Sequence, residues 1–410
     1  MNHMLVRSPL LVLLLSAGLA LWGCAVDEPV EVWNPAAPAG PDPVITSISP
    51  PSKAFSGITD IRISGQNFST TDSLNFVFFD KIQVKVKQAT STSLLVAAPQ
   101  YTSNTITIKV AVPGAIKVAT FSPYTLEEAA TEYGGFLSVD EVYSVAVDRS
   151  ENLFAELKGA STGVIYKVTP TGVKTEYSTL TIPKASEIRV GPGGYLYCQQ
   201  SNNFNLFRVP SGGGNPELFV RLDVRARTFD FDSLGTIYSA GAYYGLAATS
   251  SSSGTTREVG NFTPYDIRSI RVYNGYVYFL AVRDGVVAGL PPRGVYRARI
   301  TSATGELGPV ESVFDITKVT AYATSELLAL AISSDGELYI GTDHTNPILV
   351  VAPSGSSAPL YPGVLVPPAG QIVWGTSQQI YVNRSSGDPM VRRVIRVAVG
   401  KNGAPDYGRR

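Results

Sequence analysis

The 410-residue chain is long enough for more than one hydrophobic core. Its 33 Lys and Arg balance its 33 Asp and Glu and nowhere cluster, which excludes a nucleic-acid partner gripped by charge. Two histidines and two cysteines leave no material for a His-rich metal site or a disulfide framework.

At the N-terminus Arg7 precedes an apolar run over residues 10–20, too short for a permanent bilayer span, so residues 1–23 read as an export signal. The run ends in Leu21, Trp22, Gly23 and Cys24. This resembles the bacterial lipobox, with bulky Trp22 standing where a small residue is usual. The resemblance implies cleavage before Cys24 and its acylation, an anchor to a membrane without a spanning helix. Residues 24–42 are proline-rich and predict an extended tether. Asp27 and Glu28, just after the cysteine, are similar to the surface-export signal of Bacteroidota-type lipoproteins. The expected location is the bacterial outer membrane, facing the periplasm or the cell surface. With Cys24 acylated, Cys198 has no partner, and its place beside Leu196 and Tyr197 predicts a buried, inert thiol.

Residues 43–125 alternate apolar and polar side chains in short runs, among them Ile61–Ile63, Phe76–Phe78, Val84–Val86 and Ile106–Val110, separated by turn residues. Gly65 and Asn67 mark a turn that tolerates positive φ, after which Phe68 returns to a core. The stretches Pro43–Pro50, Ile63–Phe68, Leu94–Pro99 and Ile106–Val110 resemble the immunoglobulin-like IPT/TIG domain, with the family's glycine-rich loop reduced to Phe55, Ser56 and Gly57. The resemblance implies a small β-sandwich serving as a spacer or interaction module. Residues 126–140 form the expected linker, in which Thr125–Glu132 has the composition for one or two helical turns.

From about residue 141 to 400 one pattern recurs roughly every 40 residues, with one gap of about 60. It comprises an apolar strand, a tight polar turn and a second strand opening on an aliphatic–aromatic pair. The pairs are Leu153–Phe154, Leu196–Tyr197, Ile237–Tyr238, Val277–Tyr278, Leu338–Tyr339 and Ile380–Tyr381. Several short strands per unit at this period predict a β-propeller of about six blades, and an all-β fold for the whole chain. Ile332–Tyr339, with its Asp335–Gly336 turn, is similar to the NHL-repeat propellers. The long interval, 283–325, is expected to be an insertion forming loops on one face. Residues 401–410 are left as a tail.

If Val145, Ile188, Phe229, Ile270, Leu330 and Ile372 pack between blades, alternation turns their neighbours into the central channel. Glu187, Arg189, Asp230 and Arg271 then line it. These charges suit either a polar ligand or cation at the channel mouth or mutual ion pairing. Tyr243 and Tyr244, in a turn-like setting, are the foremost candidates for stacking on a ligand; Phe204, Tyr265 and Trp374 are further ones.

Two functions follow. The first is a non-enzymatic, membrane-anchored binding protein whose propeller offers a loop face to a glycan, peptide or protein, with no cofactor. The second rests on resemblance to six-bladed lactonases and gluconolactonases, which hold a divalent cation in the channel; Glu187 and Asp230 would be its ligands here. No inner-strand asparagine matches that family's set, and Arg189 and Arg271 would repel a cation. His344 is the one candidate general base, set against a solvated loop histidine. No nucleophile elbow, phosphate loop or zinc motif is present in the sequence.

Overall fold

The computed structural model describes residues 39–409, so Cys24 and most of the tether lie outside the described residues. The chain divides into two compact units, with the main boundary between Thr125 and Leu126 and the short segments Phe55–Ile58 and Gln100–Thr102 grouped with the second. Among the described residues no helix is long and apolar enough to cross a membrane.

The first unit is a sandwich of two sheets. One holds Val44–Ser49, Asp60–Gln66, Ser93–Ala97 and Val86–Thr90; the other holds Lys53–Phe55, Ala119–Glu127, Ser103–Ala111, Phe76–Phe79 and Ile82–Val84. Period-two alternation puts Ile61, Ile63, Val77, Phe79, Leu94, Val96, Ile106, Ile108 and Val110 in a core with no exposure. Asn67 takes φ +62° as the turn requires. Gly65 is needed for space, because a Cβ there would stand 1.9 Å from the Val44 carbonyl oxygen and 2.5 Å from the buried Phe68 ring. Thr125–Glu132 is not helical. Its residues belong to the strands Ala119–Glu127 and Ala130–Glu132, where pairing with neighbours overrides local helix preference.

The second unit is a six-bladed propeller of four-stranded antiparallel sheets. The innermost strands are Val142–Val147, Ala185–Val190, Thr228–Phe231, Tyr265–Tyr273, Leu327–Ile332 and Gln371–Trp374. Each packs against the next, and the sixth returns to the first. The ring closes by exchange. The outer strand of the sixth blade is Ala130–Glu132, from ahead of the first blade, paired antiparallel with Val394–Ala398. That strand lies inside the stretch expected to be a linker.

The recurring pair has a physical reason. Successive strand residues face opposite sides of a blade, and both sides are covered, so the aliphatic member points back and the aromatic member forward. Phe154 thus shares a core with Leu196, Tyr197 with Ile237, Tyr238 with Val277, Tyr278 with Leu338, and Tyr339 with Ile380. Tyr381 packs with Leu153 and completes the circle. Truncating any one aromatic to alanine would open a cavity between blades, at about 3–5 kcal/mol. The long interval is mostly sheet rather than loop: the fourth blade's Arg293–Ile300 and Leu307–Asp315 are extended strands, followed by short 3-10 turns at Ile316–Lys318 and Thr320–Tyr322. Its exposed loops are residues 284–292, where Val286 is fully exposed, and the turn at 301–306 between those two strands.

Candidate functional site

Val145, Ile188, Phe229, Ile270, Leu330 and Ile372 are wholly buried between blades, which turns the residues on either side of them toward the ring centre. Several of these polar residues stitch inner strands together. Gln371 Oε1 accepts from the Val145 N–H at 2.7 Å, Thr228 Oγ1 from the Ile270 N–H at 3.1 Å, and Asp230 from the Phe231 and Val272 N–H groups at 2.9 and 2.8 Å. Glu187, Arg189, Asp230 and Arg271 come together here. Arg189 lies 2.9 Å from Glu187 and 3.4 Å from Asp230, and Arg271 lies 3.7 Å from Glu187. The Arg189–Glu187 approach is an ion pair without hydrogen-bond alignment, so Arg189 Nε and Nη2 and Glu187 Oε1 lack hydrogen-bond partners, as do Ser144 Oγ and Gln371 Nε2.

Burial opposes every charge in this cluster, and the partners decide the outcome. Burial lowers Arg189, but Asp230 and Glu187 outweigh it and hold its pKa above the usual value. Arg271, penalised by burial and then by Arg189, falls to about 10 and remains a cation. Burial also raises Asp230, against the two arginines. The cluster thus behaves as a set of mutually neutralising pairs. Glu187 and Asp230, the ligands expected for a cation, are both engaged by Arg189. Among the described residues no group of three His, Cys, Asp or Glu side chains is placed to hold a metal.

At the C-terminal ends of the inner strands, residues 401–409 lie across the channel. Ala404 N–H donates to Ile332 O at 2.9 Å, the Trp374 indole donates to Lys401 O at 3.1 Å, and Arg409 Nη1 donates to Gly375 O at 3.0 Å. Gly408 fits between Val147 and Val190, where a Cβ would stand 3.0 Å from Val190 Cβ. Asp406 borders two small cavities of about 40 and 20 Å³ above Arg189 and Asp230, the smaller one also lined by Tyr407 and Gly408, with room for little more than single waters. A wider cleft of about 680 Å³ lies to the side, lined by Asp148, Asn152, Lys167, Glu176 and Tyr407.

The opposite face carries a feature that sequence reasoning missed. The inner strands of blades one, two, four and five contain a β-bulge at the same level, with Tyr143, Ser186, Arg268 and Leu328 as the extra residues. Bulges re-aim side chains, and these rim the channel mouth with Arg227 of blade three. Lys184 lies 4.6 Å over the Tyr143 ring. Arg227 and Arg268 share Asp266, and Arg268 also reaches Glu326 at 3.3 Å. The bulge residue stands at a near-constant offset before each aliphatic anchor, a signal visible once the repeats are aligned on Leu153 and its counterparts.

Tyr243 and Tyr244 are 41% and 48% exposed on this face, Tyr243 at φ +58°. Phe204 is half-buried beside them and stacks with Arg221 and Arg225. Tyr265 and Trp374 are not ligand platforms. Tyr265 packs edge-on against Phe279 and Tyr296, and Trp374 edge-on against Tyr339, all within blade cores. His344 is a turn element: its Nδ1 accepts from the Asn346 N–H at 3.0 Å and its ring lies 4.2 Å from that of Tyr322. Cys198 is buried and its thiol is held well above its ordinary pKa by burial.

A second missed group is Glu156, fully buried on the second strand of blade one opposite Ser144. Neither carboxyl oxygen has an aligned hydrogen-bond partner, and burial pushes the pKa up to about 8 despite the nearby Ala185 N–H and Lys184.

Residues 43–127 match the IPT/TIG domain. No curated protein matches the chain in sequence. Among solved structures, the chain is similar to an auxiliary nutrient binding protein from Bacteroides thetaiotaomicron VPI-5482, at 13% identity and TM-score 0.52, covering 89% of this chain and 98% of that one. It is also similar to regucalcin, a calcium-binding protein from Agrobacterium tumefaciens str. C58, at 13% identity and TM-score 0.50, covering 66% and 95%. A luciferin-regenerating enzyme matches at 14% identity and TM-score 0.50, covering 68% and 98%. Likeness at such identities shows fold alone. The chain is an IPT/TIG domain at residues 43–127 followed by a six-bladed β-propeller.

Proposed function

We propose that this is a binding protein acting outside the cytoplasm, anchored through acylated Cys24, with the IPT/TIG domain as spacer. The propeller presents the face at the N-terminal ends of its inner strands to a glycan, peptide or protein. One observation carries the reading: the channel charges neutralise one another beneath a tail that lies across one end, while the other face exposes Tyr243, Tyr244 and stacked arginines. Likeness to an auxiliary nutrient binding protein supports the same class of role. The runner-up is a cation-dependent hydrolase, for which regucalcin's calcium binding and the Glu187 and Asp230 carboxylates speak. Arg189 speaks against it, because a cation would have to displace a guanidinium from both carboxylates.

Binding to a panel of glycans and peptides, compared between the wild type and a Tyr243→Ala/Tyr244→Ala double variant, tests the reading. The expected result is at least one ligand bound by the wild type and weakened in the variant. Equal binding by both moves the site off this face. For the anchor, Cys24→Ser is expected to shift the protein from the membrane to the soluble fraction, and an unchanged membrane fraction refutes acylation at Cys24.

A further inference from the structure

The loop face has a more specific chemistry than a mixed polar rim. The Arg221 guanidinium lies 4.9 Å from the Phe204 ring centroid. Arg225 lies 5.6 Å from the same ring and 5.1 Å from that of Tyr244, whose hydroxyl accepts from Arg225 Nη1 at 3.2 Å. Both arginines are exposed, and neither has a carboxylate within ion-pairing distance among the described residues. This is unlike Arg208, Arg257, Arg297 and Arg393, which each hold an acid. Asp223 lies between the two along the strand and pairs with neither; Asp284 is taken up by the Tyr243 hydroxyl at 3.4 Å. Arg227 and Arg268, with their shared Asp266, continue the rim on the next two blades.

An aromatic face against a guanidinium fixes its plane and leaves its N–H edge free, which suits bidentate capture of a planar anion. Tyr243, next to Tyr244 in the chain and at φ +58°, adds a 41% exposed aromatic ring to the same turn, with its hydroxyl toward Asp284. A ligand that uses both needs a flat apolar face and a carboxylate on the same rigid unit. A uronic acid supplies this in every residue, whereas an acidic peptide carries its carboxylates on flexible stems.

We propose that Phe204, Arg221, Arg225, Tyr243 and Tyr244 form a subsite for a uronate-bearing polysaccharide, with the carboxylate on the Arg225 and Arg221 edges and the sugar face on the tyrosines. This rests on the reading of the loop face as a binding surface and adds the ligand class. The test is calorimetry or affinity electrophoresis of the full chain in detergent with polygalacturonate, the same polymer with its carboxylates reduced to alcohols, dextran sulfate and poly-L-glutamate. Polygalacturonate is expected to bind, more weakly as salt rises. Carboxyl reduction of the polymer and the Arg225→Gln variant are each expected to cost at least about tenfold, the loss of one charge-assisted contact. Arg221→Gln and Arg225→Gln lie at exposed positions, and comparing the two polymers on the wild type needs no variant at all. No binding of polygalacturonate, equal binding of the reduced polymer, or full binding by Arg225→Gln overturns the proposal. So does tighter binding of dextran sulfate, which has sulfates and no carboxylate, or of poly-L-glutamate, which assigns the site to sulfates or acidic peptides. If the reduced polymer binds and Tyr243→Ala/Tyr244→Ala weakens it, the uronate subsite falls while the binding face stands. If none of the four binds and that variant leaves every ligand of the broader panel unaffected, both fall.

Discussion

Glu156→Gln is expected to stabilise the propeller, by an amount that grows with pH. The carboxyl is fully buried with neither oxygen in an aligned hydrogen bond, and its pKa stands at about 8 against an ordinary 4.5. Between those values the unfolded chain has lost this proton and the folded chain has kept it. The contribution of Glu156 to folding stability is therefore most favourable below about pH 4.5, falls as pH rises and levels off above about pH 8. The slope is about 1.4 kcal/mol per pH unit, so the group costs about 3 kcal/mol at pH 7 relative to a carboxyl with no shift. Glutamine keeps the shape and cannot ionise, so the wild type should lose ground to the variant at that slope. Guanidinium denaturation of both proteins at pH 5, 6, 7 and 8 measures it, and groups common to both cancel in the difference. At pH 7 the gain corresponds to a melting temperature higher by about 5 °C in a unit of this size. A stability difference that stays constant from pH 5 to pH 8 would refute the assignment of Glu156 as a neutral buried acid.

Glu151 is expected to behave in the opposite sense. Burial opposes its charge, but hydrogen bonds from Thr376, Gln379 and Tyr381 of the sixth blade win and hold its pKa below 4.5, so its contribution is present above that value and lost as pH falls. Glu151→Ala should cost about 2–3 kcal/mol at pH 7 and progressively less as pH falls below 4.5, as read by urea midpoints; a loss that does not change with pH would show that packing alone is involved. Asp230→Asn leaves Arg189 and Arg271 short of a counter-charge and should cost about 3–5 kcal/mol in the same assay, whereas a neutral effect would mean the cluster is solvated. Thr131→Pro removes a ladder N–H opposite Arg396 in the strand that closes the ring, and should lower the propeller's melting temperature; an unchanged melt would show that this pairing does not hold the ring shut.

The repeat was legible because its two sequence signals are consequences of packing. A blade covered on both sides must bury consecutive residues, and this produces pairs such as Leu196–Tyr197 six times over. Alternation also placed Glu187, Arg189, Asp230 and Arg271 beside the between-blade residues, and the fold brings all four together. What stayed hidden depends on long-range partners. Ala130–Glu132 has no local strand signal and becomes a strand because Val394–Ala398 offers an open edge. Residues 401–409 look like a tail in sequence, and only their hydrogen bonds to Ile332 and Gly375 reveal them as a covering segment. Glu156 sits at a strand position where an acid is ordinarily exposed, and nothing local announces that the next blade covers it. Tyr265 and Trp374 were overread for the reverse reason, since an aromatic in a propeller is needed between blades more often than at a ligand.

The central claim, binding at the loop face without a channel cation, is tested most directly by thermal shift. The chain from Asp27 onward would be melted with calcium and other divalent cations, with EDTA, and with a panel of neutral and acidic glycans. A ligand at about 100 times its Kd stabilises by about 2.7 kcal/mol, several degrees here. The expected result is stabilisation by a glycan that EDTA leaves unchanged, and none by calcium alone. Stabilisation by calcium that EDTA reverses, with silence from every glycan, would contradict it and return attention to Glu187 and Asp230.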